Sequence, residues 1–273
     1  MEKYLICIDL DSTFLKDNKS ISFRARRYIR KLVRKGHYFI INTGRPHQGS
    51  LQFLKKLKIN QPMIVNNGSV IIEYDKEYKR VTNYHTFENN KEILLDLYNE
   101  VKDYLNVVAV TSIFDFYTTS LEKCPFFIIH KDPTITFHEG DINSLLSTPP
   151  LRSEFFIKKE FIDEFMKIFS KEKYQKEFDY TAWGEWDGIF SFEIFPKGVS
   201  KGKAMEFLAE KLNINPKNTI AFGDQLNDIS MLEFANDGVA IKNAREEVKS
   251  IANHITKKDN NHDGVISYLK EIL

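Results

Sequence analysis

Residues 4–13 read Tyr4-Leu5-Ile6-Cys7-Ile8-Asp9-Leu10-Asp11-Ser12-Thr13, and this stretch decides the fold. It opens as a short apolar run rich in β-branched side chains and stops abruptly on the Asp9 carboxylate. Such a run fits a strand buried on both faces, as in a parallel sheet. Asp9, Asp11, Ser12 and Thr13 then cluster at the strand's carboxyl end, the edge where open α/β sheets bind ligands. Two carboxylates two residues apart at such a mouth can serve one metal ion and one phosphoryl group together. Asp and Ser are also ordinary turn formers, so this Asp-x-Asp triplet takes its meaning from the rest of the chain.

The same texture returns downstream. Ser22 opens a helical pattern with Tyr28, Ile29, Leu32 and Val33 on one face, closed by Arg34, Lys35 and the C-cap Gly36. Residues 37–42 (HYFIIN) read as a second buried strand, followed by Thr43-Gly44-Arg45-Pro46. Strand, helix and strand in this span make a βαβ unit with parallel strands, so Thr43 is expected at the same sheet edge as Asp9. A helix from Gln48 to Leu57 leads to a third apolar run, Met63 to Val65, and to the Asn66-Asn67-Gly68-Ser69 turn. A hairpin-like stretch follows to Thr82.

From Asn83 the pattern changes to an α+β block. Helices are expected at Lys91–Tyr104 and Ile162–Phe169, and strands near Val107–Val110, Phe126–Ile129, Glu154–Ile157, Phe178–Ala182 and Ile189–Phe195. The block holds no glycine-rich phosphate loop and no obvious acid-base cluster. At Gly198 the first pattern resumes: a helix from Lys201, the buried strand Thr219–Phe222 closed by Gly223-Asp224, and Val239-Ala240-Ile241. The predicted architecture is α/β, a doubly wound, mostly parallel Rossmann-like sheet from residues 1–82 and 197–273, interrupted by an α+β cap at 83–196.

Bulk composition narrows the function. A length of 273 residues allows a sizeable core, and 42% hydrophobic with 28% charged residues is ordinary for a globular protein. A net charge of +1 argues against a dedicated nucleic-acid binder, which usually shows a basic excess or stripe. Cys7 and Cys124 have no metal-binding spacing and imply no disulfide framework. The N-terminal strand leaves no room for a cleavable signal, and no apolar run is long enough to span a bilayer. A cytoplasmic protein without membrane or nucleic-acid partners is expected.

Four polar stretches fall at strand ends or a helix start: ICIDLDSTFL, INTGRP, the lysine of KGVSKGKA, and FGDQLNDISML. In this order they resemble the motifs of the haloacid dehalogenase superfamily of phosphotransferases. The likeness continues through GVAIKNAREEVKSIANHIT and NNHDGVISYL, and is greatest to Cof-type hydrolases, which carry an α+β cap between the second and third motifs. Departures are Ser12 where Gly is commonest, Gln225 in place of a small residue, and Ile241-Lys242 in place of Met-Gly.

The resemblance implies roles that suit the side chains. Asp9 would be the nucleophile that forms an aspartyl-phosphate. Asp11 would protonate the leaving oxygen, a task that wants a carboxyl pKa tuned upward toward neutrality. One Mg²⁺ would sit among Asp9, the Asp11 carbonyl and Asp224, with Asp228 bound directly or through water and Asn227 steadying the sphere. Thr43 and Lys201 would hold the phosphoryl oxygens, supported by Gly44, Arg45 and Asn227. Lys201 is preferred to Lys197 because it follows Val199-Ser200. A lysine in the first turn of a helix is unfavourable against the helix dipole unless an anion is near. Asn67 could reach the site floor or simply form a tight Asn-Gly turn, Asn243 could help order the metal-binding loop, and Tyr180, Trp183 and Trp186 could stack on a substrate ring or fill a core.

The expected activity is Mg²⁺-dependent hydrolysis of a small phosphorylated metabolite: a sugar phosphate, flavin mononucleotide, pyridoxal phosphate or a nucleotide. The same core could run a phosphomutase, and a pocket that kept binding without turnover would be a phosphate sensor. The intact Asp9–Asp11 pair speaks against a sensor.

Overall fold

The computed structural model describes residues 2–125 and 135–273, so the strand expected at Phe126–Ile129 lies outside the described residues. The chain divides into two compact units, Met1–His85 with Ser200–Leu273, and Thr86–Val199. The sequence pattern puts the first junction after residue 82; it falls later because residues 81–86 form a further strand of the first unit's sheet.

In chain order the first unit opens with β1 (Leu5–Ile8), β2 (Tyr38–Asn42), β3 (Met63–Val65), β4 (Val70–Tyr74) and β5 (Val81–Thr86). The second unit contributes β6 (Leu105–Thr111), β7 (Asp115–Thr118), β8 (Thr136–Glu139), β9 (Arg152–Lys158), β10 (Phe178–Trp186) and β11 (Ile189–Pro196). The first unit then resumes with β12 (Thr219–Gly223), β13 (Asp237–Ala240) and β14 (His254–Ile255).

The first sheet has the order β14-β13-β12-β1-β2-β3-β4-β5. From β14 through β3 neighbouring strands run parallel; β3 and β4 are antiparallel. This is the expected mostly parallel α/β sheet. Its central strands are apolar on both faces because helices cover both: Leu5, Ile6, Cys7, Ile8, Ile40, Ile41, Ile220 and Phe222 are fully buried.

Two glycines set how closely the later segments approach this sheet. Gly68 has φ +102°, and a Cβ there would lie 2.2 Å from the Ser200 carbonyl oxygen. Gly202 would place a Cβ 2.2 Å from the Ser230 carbonyl oxygen. Only glycine lets the 66–68 turn and the 229–234 helix pack backbone to backbone against the start of the Lys201–Lys211 helix.

The second unit's sheet has the order β10-β11-β9-β6-β7-β8 among the described residues. One face packs Phe155, Ile157, Phe192 and Ile194 against Leu94, Leu97, Phe165 and Phe169 of two helices. Alternation puts Arg152, Glu154 and Glu193 on the other face, where Arg152 lies 3.3 Å from Glu154 and 3.2 Å from Glu193. Burial pushes the Glu154 carboxyl up, with Arg152 opposing and Glu193 adding to the shift. Arg152 and Glu154 share a face by strand alternation, but no sequence pattern signals Glu193, which joins them only through the β9–β11 register. Trp183 and Trp186 are exposed (60% and 67%), so neither is core.

Candidate active site

Three adjacent strand ends build the site. β1 lies between β12 and β2, with Ile8 level with Phe222 on one side and Ile41 on the other. Asp9 follows at once and donates its amide to the Phe222 carbonyl at 3.0 Å. Thr43, buried, donates its amide to the Ile64 carbonyl at 3.0 Å, and its own carbonyl accepts from the Asn67 amide at 3.2 Å. Asp224 follows β12 and is also buried. The parallel register thus brings Asp9, Thr43 and Asp224 to one edge, as the βαβ reading requires.

Lys201 comes to Asp9 from the side. Its helix is N-capped by Ser200, whose hydroxyl accepts from the Lys203 amide at 3.1 Å. The ammonium donates to Asp9 Oδ1 at 2.7 Å and to Asp228 Oδ1 at 2.6 Å, and the residue is 1% exposed. These carboxylates are the anions that a lysine in this first turn calls for. Burial works against the charged form of Lys201, but Asp228 and Asp9 outweigh it and raise its pKa. Lys197 belongs to the other unit and pairs there with Asp179 at 2.6 Å.

Asp9, Asp224 and Asp228 each offer an oxygen within 4.8 Å of the others, all three residues buried. Burial pushes the Asp9 carboxyl up; Lys201 opposes this and Asp228 reinforces it. Burial likewise raises Asp224 to about 6, against the hydrogen bond from the Thr13 hydroxyl at 2.5 Å. Three carboxylates facing one ammonium leave surplus negative charge in a buried place. An all-oxygen donor set of that kind fits a hard divalent cation, which would relieve the crowding. Asp228 is the most committed of the three: its Oδ1 takes Lys201, and its Oδ2 takes the amides of Asp224 (2.8 Å) and Gln225 (2.9 Å).

Asp11 departs from expectation. Its carboxylate turns to Arg45, which donates from Nε at 2.6 Å and from Nη2 at 2.7 Å, and to Lys19 at 2.6 Å. Partial burial works upward, but the hydrogen bonds from Arg45 and Lys19 prevail and hold the carboxyl down to about 2. An upward-tuned acid is therefore not what this structure holds. Arg45, expected on a substrate phosphate, is instead forked onto Asp11. Asn227, expected beside the phosphoryl group and the metal sphere, donates to the Asn67 side chain at 2.9 Å. The Asn67 carboxamide in turn packs on Gly44, where a Cβ would stand 2.8 Å from its Oδ1.

Other polar residues hold the segments around this edge. Asn42 ends β2 fully buried and donates from its side chain to the Lys201 carbonyl at 3.0 Å, tying strand to helix. The single polar residue closing the apolar run 37–42 was its only signal. Asn243 donates to the Ser12 carbonyl at 2.7 Å and accepts from the Asn260 amide at 3.1 Å. Asn260 also donates to the Leu15 carbonyl at 2.9 Å, so two asparagines brace the loop that follows Asp9.

Ser12 has φ +57°, in the left-handed region that glycine enters freely. That accounts for glycine as the commoner residue here. An L-residue in this region costs about 1–2 kcal/mol, while glycine loosens the unfolded chain by about 0.4–1 kcal/mol. Ser12→Gly is expected to raise stability slightly, by about 0.5 kcal/mol, in denaturant titrations. A loss of about 1 kcal/mol or more would show that the Ser12 conformation is not strained.

Comparison with known proteins agrees with this geometry. The family described as haloacid dehalogenase-like hydrolase matches residues 6–269, and the chain belongs to that family, in its Cof-type phosphatase branch. A Bacillus subtilis relative, the 5-amino-6-(5-phospho-D-ribitylamino)uracil phosphatase YitU, is 30% identical over 98% of this chain and 97% of its own length. A second with the same named activity, YcsE of the same organism, is 29% identical over 97% of this chain and 94% of its own. A crystal structure from Thermotoga maritima superposes with a TM-score of 0.79 at 27% identity, covering 99% of this chain and 98% of that one. The protein is a phosphomonoester hydrolase of this family. Among the described residues, no helix is long and apolar enough to cross a membrane.

Proposed function

We propose that the protein hydrolyses small phosphomonoesters with Mg²⁺, through an aspartyl-phosphate on Asp9. The observation that carries this reading is the buried meeting of Asp9, Lys201, Asp224 and Asp228 at the carboxyl edge of β1 and β12. Asp9 is held by Lys201 through one oxygen, Oδ1. Its other oxygen attacks phosphorus and displaces the leaving alcohol. Water then hydrolyses the mixed anhydride at phosphorus and regenerates the carboxylate.

Thr43 and Lys201 steady the phosphoryl oxygens. Asp9, the Asp11 carbonyl and Asp224 would hold the ion, with Asp228 fixing the loop and reaching the ion through water. When bound, Mg²⁺ supplies positive charge beside the phosphoryl oxygens. Once Arg45 transfers its fork from Asp11 to the incoming phosphate, the Asp11 carboxylate takes up a proton from solvent and hands it to the leaving oxygen. That exchange removes the larger of the two contacts that hold Asp11 ionised, and the exposed Lys19 must turn away as well.

The leaving group is a small polyol or ring-bearing metabolite. Two relatives named for a phosphoribitylaminouracil put that compound beside hexose phosphates, flavin mononucleotide and pyridoxal phosphate in a first panel. Phosphate release is expected from at least one of these with Mg²⁺, falling at least about 100-fold on chelation, since charge stabilisation supplies much of the rate in phosphoryl transfer. Turnover unchanged by chelation would defeat the metal assignment. Silence across the panel would defeat the substrate class.

A further inference from the structure

The helix Phe23–Arg34 carries Arg24, Arg26, Arg27, Arg30, Lys31 and Arg34 and no acidic residue. Four of these, Arg24, Arg27, Lys31 and Arg34, recur every three or four residues, which sets them in one row along the helix. The row spans about 15 Å at about 1.5 Å per residue. With Lys270 of the terminal helix, and with Phe23 and Tyr28, they line a groove of 820 Å³. Among the described residues, the arginines that form ion pairs are Arg45, Arg152 and Arg245. Lys270 lies 5.3 Å over the Tyr28 ring.

Helix surfaces ordinarily intersperse acids at these spacings, because like charges three or four residues apart destabilise a helix. Arg24 and Arg27 also face the unfavourable end of the helix dipole. Lys31 and Arg34 lie in the last turn, where the dipole favours cations, but no acid within the helix offsets the repulsion along the row. A net charge of +1 hides the stripe, since acids elsewhere balance it.

We propose that this groove docks a single-stranded nucleic acid, with RNA as the form to test. Regular spacing of the cations suits a backbone of regularly repeated phosphates better than the irregular acids of a peptide. Phe23, 72% exposed at one end of the row, offers a flat face on which a base can stack. A cationic groove flanked by an exposed aromatic is how sequence-tolerant single-strand binders work. The surface lies on a helix that contributes no residue to the site around Asp9, so it stands or falls independently of the phosphatase reading.

The test is fluorescence anisotropy with a labelled RNA of about 12 nucleotides lacking terminal phosphates, the full chain and excess chelator. Wild-type protein should bind with a slope of log K against log salt of about −3, from four cations at about −0.7 each. Affinity should then drop about 50-fold between about 50 and about 200 mM salt. Arg27→Ala with Lys31→Ala should halve the slope and leave phosphate release unchanged. Phe23→Ala should weaken RNA binding about ten-fold at an unchanged slope. Absence of binding by wild type at about 50 mM salt overturns the proposal, as does a double variant that binds like wild type. Binding of inorganic polyphosphate equal to that of RNA, with Phe23→Ala indifferent for both, also overturns it: the groove then reads charge and not a nucleic acid.

Discussion

Asp9→Asn is expected to lower phosphate release by at least about 10⁴-fold, the scale on which removal of a covalent nucleophile is felt. The carboxamide cannot form the mixed anhydride, and neither Asp224 nor Asp228 can replace it. Asp224 is occupied by Thr13 and Gln225. Asp228 has both oxygens committed to Lys201 and to two backbone amides. The fold should survive the change and gain stability. The carboxamide oxygen of the variant still accepts from Lys201, while one negative charge leaves a buried group of three. Burial already raises the Asp9 pKa, meaning that ionising it in the folded chain is unfavourable. Stability at about pH 7.5 in chelator should therefore rise while activity disappears. Thermal unfolding beside phosphate release separates this from a variant that fails to fold, in which both would fall. Retained turnover would remove Asp9 from the nucleophile's place, whatever the geometry around it.

The convergence of these residues was legible where a polar side chain coincides with a strand end. Asp9, Thr43 and Asp224 each follow a run of buried residues, and parallel pairing leaves such positions one edge to occupy. Lys201 was singled out by the family resemblance, and the anion that a cation in a first helical turn asks for is supplied by Asp9 and Asp228. What escaped depends on loop conformation. The fork of Arg45 on Asp11 joins two loops, one of which turns left-handed at Ser12, and no periodicity encodes either feature. Asn227 and Asn67 meet across 160 positions in sequence because two glycines let separate segments close on the same helix. In the second unit, the short strands Asp115–Thr118 and Thr136–Glu139 were invisible to pattern because, unlike Leu5–Ile8 and Met63–Val65, they hold no continuous apolar run and are too short for alternation to count. The Arg152–Glu154–Glu193 group was hidden for a related reason. Its members are ordinary charged residues until the register of β9 and β11 sets them side by side.

Lys201→Ala should cost about 3–5 kcal/mol at about pH 7.5 in chelator, the usual scale for breaking a buried ion pair by deleting one partner. Three carboxylates would then face one another with no cation between them. The loss should depend on pH in a definite direction. Asp224 titrates near 6 in the folded chain against an ordinary value of 3.8, and Asp9 is shifted the same way. Between those limits the folded state holds more protons than the unfolded one, so stability falls as pH rises. Removing Lys201 takes away a charge that now opposes both shifts, so each carboxyl should move further up. The gap between wild type and variant should accordingly be wide at about pH 7.5 and narrow at about pH 5, where proton uptake replaces the missing ammonium. Lys201→Met, which restores much of the side-chain volume, should show the same dependence on pH with a smaller offset. A gap equal at both pH values in the two variants would mean that Lys201 serves as filling and not as charge. Mg²⁺ should narrow the gap at about pH 7.5, because an ion bound only to the folded chain stabilises it by mass action. Activity is expected to fall about 10²–10³-fold even with the ion present, as when a donor to the developing charge is lost. The ammonium would thus have two tasks set by one location: it lets buried carboxylates coexist before the substrate arrives, and it faces the phosphoryl oxygens afterwards.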